Sequence, residues 1–286
     1  MNSIIGSDKR KLDQILQFLI YLSSAFVFCL VFLMIGFIIS KALPYLNLKF
    51  FITAKSTIEG TNGILSNTIN TVYMIVLTLL IAGPIGVGGA IYLNEYAKSK
   101  RFVSLVSFAL EVLSGIPSII YGLFGMILFG EKLGLDYSIL NGALTLSLMI
   151  LPIITRNAQL ALQNVPKSYR EAAQGLGAQK WYTIRTVLLP SAIPGILTGI
   201  ILGMGRIVAE SAVLIYTAGS GYFMPKSILS HIFKSGGTLT VRMYFEMNNA
   251  NYEESFLIAW LLIILVFLMN ALTKWIAKKF NVNGGK

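Results

Sequence analysis

Long apolar runs separated by short polar segments dominate the chain. Residues 15–39 carry no charge, with Lys9, Arg10 and Lys11 before them and Lys41 after. A helix crosses the hydrocarbon core with about 20 mostly apolar residues, so this run predicts a transmembrane helix. It is too long for the apolar region of a cleaved signal peptide, about 7–15 residues, and is expected to be retained. Five further runs follow at 68–93, 102–129, 138–155, 191–219 and 255–277. The third is broken by Glu111 and by the Gly-Ile-Pro-Ser stretch at 115–118, and the fifth by Arg206 and Glu210. The pattern predicts an all-α polytopic membrane protein with six spans and both termini on one side.

The basic residues choose that side. With the N-terminus inside, the inner segments hold 15 Lys and Arg and the outer segments 7, with Arg206 inside a span. Positive residues concentrate in cytoplasmic loops, so both termini are expected to be cytoplasmic. The bias also accounts for the +11 net charge without nucleic acid. Only 12% of residues are charged, against about 25% in an ordinary soluble domain, which argues against a soluble enzyme. One cysteine, Cys29, and one histidine, His231, leave no set for a disulfide or a multi-His metal site. Cys29 reads as a small apolar residue, and His231 as a solvated or packed side chain of the outer loop at 220–254. No G-x-x-x-x-G-K-[ST] loop is present to cradle ATP phosphates, and no strand pattern is visible.

The polar loop at 166–190 is expected on the inner side. Ser168 and Glu171 form S-x-x-E, which predicts a capping box at a helix start. Ala172 and Ala173 give the helix a narrow face, and Gly177 is suited to stopping it in the left-handed conformation. Such a short helix suits docking on a soluble partner, and an ordinary interfacial helix fits the same residues.

Charges within spans mark candidate path residues. An Arg at mid-membrane costs about 3 kcal/mol on insertion scales and is expected to face protein or water. On a continuous helix of 3.6 residues per turn, Gly195, Gly199 and Gly203 fall at about 0°, 40° and 80°, with Arg206 at about 20° and Glu210 at about 60°. The spacing predicts an Arg206–Glu210 ion pair on a close-packed glycine stripe. Such a pair serves either anion passage or helix packing alone. Arg156, near the inner end of span four, reads either as a path residue or as a snorkelling anchor. Ser114 and Ser118 flank the break in span three and complete the candidate substrate path. Glu111 reads as a shallow residue facing inner water.

Glu171-Ala172-Ala173, three residues, Gly177, nine residues, and Val187-x-Leu189-Pro190 together resemble the EAA loop of ABC importer permeases. Val187 stands where the family pattern has Ile. The segments at 94–97 (Asn-Glu-Tyr-Ala), 113–122 and 205–212 resemble the permeases of phosphate-specific importers, most closely their A-type subunit; Ala209 and Ser211 depart from Gly and Thr of the common pattern. The resemblance covers nearly the whole chain. It implies a type I, MetI-like permease fold, with a permease domain over 67–279, a coupling loop over 156–190, a leading segment over 1–66 and a tail over 280–286. It implies that Ser168, Glu171, Ala172, Ala173 and Gly177 form the coupling helix, and that Arg206 and Arg156 serve transport. The implied partners are a sister permease, two ATPase subunits, an external phosphate-binding protein and the lipid bilayer, with phosphate as solute and no cofactor. A C-type sister, a permease for another oxyanion, and a self-sufficient secondary transporter or channel remain as alternatives.

Overall fold

Residues 4–56, 60–225 and 227–280 are described by a computed structural model. Lys226 and the 281–286 tail with Lys286, which enter the charge bias, lie outside them.

The apolar runs become helices. The first helix, α1 (Ile4–Ala42), leads through a short turn to α2 (Leu48–Ile52). A two-residue antiparallel hairpin, β1 (Lys55–Ser56) and β2 (Thr61–Asn62), then departs from the all-helical expectation. Next come α3 (Leu65–Ile91), α4 (Lys100–Gly115), α5 (Ser118–Gly125) and α6 (Ile139–Gln163). The 166–190 loop holds α7 (Lys167–Gly175) and α8 (Lys180–Thr183). The chain ends with α9 (Leu189–Ala209), α10 (Ala212–Thr217), α11 (Ile228–His231), α12 (Leu239–Asn248) and α13 (Tyr252–Phe280).

Among the described residues, five helical segments are long and apolar enough to cross a membrane, or six if α4 and α5 together make one span. From Leu12 to Met34 the large apolar side chains of α1 are exposed. A helix apolar all round is one that lipid covers, and Cys29 is exposed on it. Phe37 packs on Phe256 of α13 with ring centroids 5.8 Å apart. At the centre, α6 packs against α3 and α9. The glycines of α9 set the second contact. A Cβ on Gly195 would lie 2.5 Å from Ala161 Cβ, and one on Gly199 2.7 Å from Asn157 Cβ. In lipid, such close approach replaces the hydrophobic drive that holds soluble helices together.

Two of the expected spans are not continuous helices. The third turns by 98° between α4 and α5. Pro117 forces it: the residue before a proline is driven to extended backbone, and Ile116 sits at φ −70°, ψ 131°. The Tyr121 hydroxyl donates to the Leu113 carbonyl at 2.7 Å, satisfying a group near the break. The fifth ends at Ala209, and Glu210 is extended at φ −83°, ψ 124° before α10 begins. The pieces that follow the two breaks meet, since a Cβ on Gly122 of α5 would lie 3.1 Å from Val213 Cα of α10.

The end of the bundle away from α7 is tied by buried charge. Arg242 of α12 is 1% exposed. It pairs with Glu246 (2.7 Å) and with Glu254 of α13 (3.2 Å), and donates to Asn62 of β2 at 2.7 Å. Two cations approach the Tyr222 ring, Lys55 at 4.8 Å and Arg242 at 5.1 Å. His231 is packed at 1% exposure, with Nε2 2.7 Å from Asn70 Oδ1 and its ring edge against Tyr73.

Candidate functional site

The 166–190 loop presents a short helix on a rigid mount. Pro166, at φ −53° and ψ 138°, occupies the N-cap, so α7 starts at Lys167. Ser168 therefore lies inside the helix and makes no cap bond, which corrects the expected capping box of Ser168 and Glu171. The expected stop is present: Gly177 has φ +76°. The Ala178 N–H donates to the Ala173 carbonyl (3.0 Å) and the Gly177 N–H to the Gln174 carbonyl (2.9 Å). These two bonds make a Schellman cap. Ala173 faces inward, while Ser168, Glu171 and Ala172 are exposed. Leu176, between two glycines, is 89% exposed.

Arg170 fixes this helix to the body. Its Nη2 donates to Glu95 Oε1 (2.9 Å) and to the Leu162 carbonyl (3.0 Å), and its Nη1 to the Val165 carbonyl (3.2 Å). Lys180 bonds the Glu95 carbonyl and stands over the Tyr96 ring at 4.7 Å. The turn after α3 thereby anchors the loop from both sides. No local pattern links Glu95 to Arg170, which lies 75 residues on. Leu176 did carry a signal, as a lone large apolar residue in a polar Gly-rich stretch.

The candidate path residues fall in three places. Arg156 of α6 and Ser114 of α4 line one pocket of about 240 Å³, together with Ser107, Glu111, Asn157 and Gln159. The Ser114 hydroxyl donates to the Glu111 carbonyl at 2.7 Å. Ser118 stands apart as the first residue of α5, across the 98° bend. Arg206 is exposed near the end of α9 and makes no ion pair or hydrogen bond among the described residues. The expected Arg206–Glu210 pair is therefore absent. Its angular argument required a helix continuing through Glu210, and the helix ends one residue earlier. Glu210 is instead 7% exposed. Its Oε1 accepts from the Val213 N–H at 3.2 Å, and its carbonyl accepts from the Thr240 hydroxyl at 2.9 Å. Both bonds satisfy backbone groups at or near the break.

A polytopic helical body with two discontinuous spans, an Arg unpaired among the described residues on a membrane-length helix and an exposed, rigidly mounted helix on one loop fits the class of membrane permeases. The chain belongs to the family of binding-protein-dependent transport system inner membrane components, whose profile matches residues 84–282. It is a multi-pass membrane protein of a family of permeases rather than enzymes. It is 35% identical over 266 residues to the probable ABC transporter permease protein YqgI of Bacillus subtilis, covering 87% of this chain and 90% of that one. To the phosphate transport system permease protein PstA of Xylella fastidiosa it is 34% identical over 235 residues, 81% of this chain and 80% of the relative. In fold it resembles a chain of a bacterial alginate ABC transporter, with a TM-score of 0.69 at 15% identity over 96% of this chain and 99% of that one. A chain of the MetNI methionine transporter aligns with a TM-score of 0.56 at 20% identity, over 76% of this chain and 94% of that one.

Proposed function

We propose that this chain is the A-type permease subunit of an ATP-driven phosphate importer. The observation that carries the reading is the exposed, Schellman-capped α7, pinned through Arg170 and Glu95 to a body whose length matches phosphate permeases. It acts beside a sister permease, with two ATPase subunits on the side of α7 and an external binding protein opposite. The charge bias puts the termini and α7 in the cytoplasm. The permease domain runs over 67–279 and its coupling loop over 156–190. Ser168, Glu171, Ala172 and Leu176 form the face that meets the ATPase; Ala173 and Gly177 hold its shape.

The solute path uses Arg206, Arg156, Ser114 and Ser118. Arg206 faces the sister permease and meets the anion where no other cation of this helix is available. Arg156 and Ser114 meet it nearer the α7 end. Glu210 positions α10 and the end of α9, and so the Arg206 backbone, instead of neutralising the guanidinium. ATP binding closes the ATPase pair, moves α7, and rocks the two permeases about the path.

Uptake of radiolabelled phosphate by cells whose own phosphate importers are deleted, supplied with this chain and its partners, tests the reading. Uptake is expected with the intact chain. It is expected to be lost with Arg206→Gln at unchanged complex yield. Normal uptake by that variant contradicts the assigned path, and failure of the intact set to carry phosphate contradicts the assigned solute.

A further inference from the structure

The pocket between α4 and α6 holds more chemistry than a cation and a serine. It is lined by Ser107, Glu111 and Ser114 from one helix and Arg156, Asn157 and Gln159 from the other. Gln159 is 3% exposed, yet its Oε1 is buried with no hydrogen-bond partner, and its carboxamide makes no bond among the described residues. A buried amide left unpaired costs about 1–3 kcal/mol, so a retained one points to a ligand that pairs with it. Glu111 adds a carboxylate, which accepts hydrogen bonds only. It forms no ion pair with Arg156 or any other cation among the described residues.

We propose that this pocket is a solute station selective for protonated tetrahedral oxyanions, in which Glu111 and Gln159 accept the solute's O–H while Arg156 and the Ser107 hydroxyl bind its charged oxygens. The proposal deepens the reading of the chain as a phosphate permease and rests on it. Phosphate at neutral pH always keeps at least one proton, and arsenate does the same. Sulfate keeps none, so it would set bare oxygens against a carboxylate. A site built around a ligand's hydroxyl discriminates strongly against an analogue without one, because its own polar groups are then left unpaired. Glu111 also opposes tight capture: it repels a fully ionised solute that Arg156 alone would hold, which favours release toward the α7 end.

Discontinuous helices and polar groups within a membrane protein are tolerated where they line a cavity. The station sits beside the break that ends α4 at Gly115, and its Gln159 lies eight residues before the first residue of α7. A shift of α7 is therefore conveyed to Gln159 and Arg156 along the same stretch of chain, through α6.

Equilibrium dialysis of the assembled, nucleotide-free importer in phosphatidylcholine nanodiscs tests this, with labelled phosphate, arsenate and sulfate and without the binding protein. Phosphatidylcholine carries no phosphomonoester, so only the free anion is read. Phosphate and arsenate are expected to bind alike, with sulfate at least about tenfold weaker. Glu111→Gln is expected to narrow that ratio, mainly by gain of sulfate, and Gln159→Met to narrow it by loss of phosphate. Arg156→Gln is expected to remove both. Equal binding of phosphate and sulfate by the wild type, an unchanged ratio in Glu111→Gln, or no saturable binding would each overturn the station. If the complete importer still drives phosphate uptake in that case, the permease reading stands without it; if it carries no phosphate, the underlying reading fails instead.

Discussion

Gly177 shows how one torsion carries a role. Its φ of +76° stops α7, while a Cβ there would meet nothing within 4 Å. The requirement is conformational and not steric. A β-branched residue in this region costs about 1–2 kcal/mol, so Gly177→Val is expected to loosen the cap and lower ATPase coupling in vesicles several-fold at normal membrane insertion. Gly177→Asn, which tolerates the left-handed region, is expected to retain most coupling. Arg206 and Glu210 give a second test. Since Arg206 is exposed and makes no ion pair among the described residues, Arg206→Gln should leave the thermal stability of the complex within about 0.5 kcal/mol of wild type, whereas Glu210→Gln should lower it. Equal losses in the two single variants, recovered in the double variant, would restore the ion pair. His231 gives a third. Burial, with Lys234 nearby, holds its pKa below the usual value of about 6.5. The unfolded chain then binds the proton more readily, so the contribution to stability is complete above about pH 6.5 and declines as pH falls below it. Thermal unfolding of the complex should show that acid-side loss, and His231→Gln should flatten it.

At the scale of elements, charge fastens both ends of the bundle. Replacing Arg242 by Met leaves Glu246, 3% exposed, without its guanidinium. Breaking a buried pair in this way costs about 3–5 kcal/mol, and the complex should lose thermal stability accordingly. Arg170→Met should free α7 from Glu95 and lower coupling while the spans still insert. The spans themselves were legible in the sequence, because lipid demands long apolar runs and leaves no cheaper solution. The bend at Pro117 was legible as a break, though its 98° angle was not. The end of α9 at Ala209 was not legible. No glycine or proline announces it, and the bond to the Glu210 carbonyl comes from Thr240, 30 residues on. The start of α7 was misplaced because Pro166 takes the cap position that Ser168 was expected to hold. No local pattern announces the Arg242 cluster, for the same physical reason as Arg170–Glu95: its partners, Asn62 and Glu254, are brought together only by the fold.

For the whole molecule, the arrangement is that of a transmission. The α3–α6–α9 core is tightly packed, α1 leaves its large apolar side chains exposed, and the broken pieces α5 and α10 meet at Gly122. One loop carries the exposed helix α7, and the same central helix, α6, leads from that loop to Arg156. The sequence has no phosphate-cradling G-x-x-x-x-G-K-[ST] loop, and the proposed route for work from another chain is α7. The most direct test is ATP-driven phosphate uptake by vesicles reconstituted with this chain, its sister permease, the ATPase and the binding protein, compared with vesicles that lack only the ATPase. Uptake that requires both ATP and the ATPase, and that falls when Leu176 on the exposed face of the coupling loop is replaced by Asp, is the predicted result. Phosphate transport by this chain without the ATPase, or saturable ATP binding by it alone, would contradict the account.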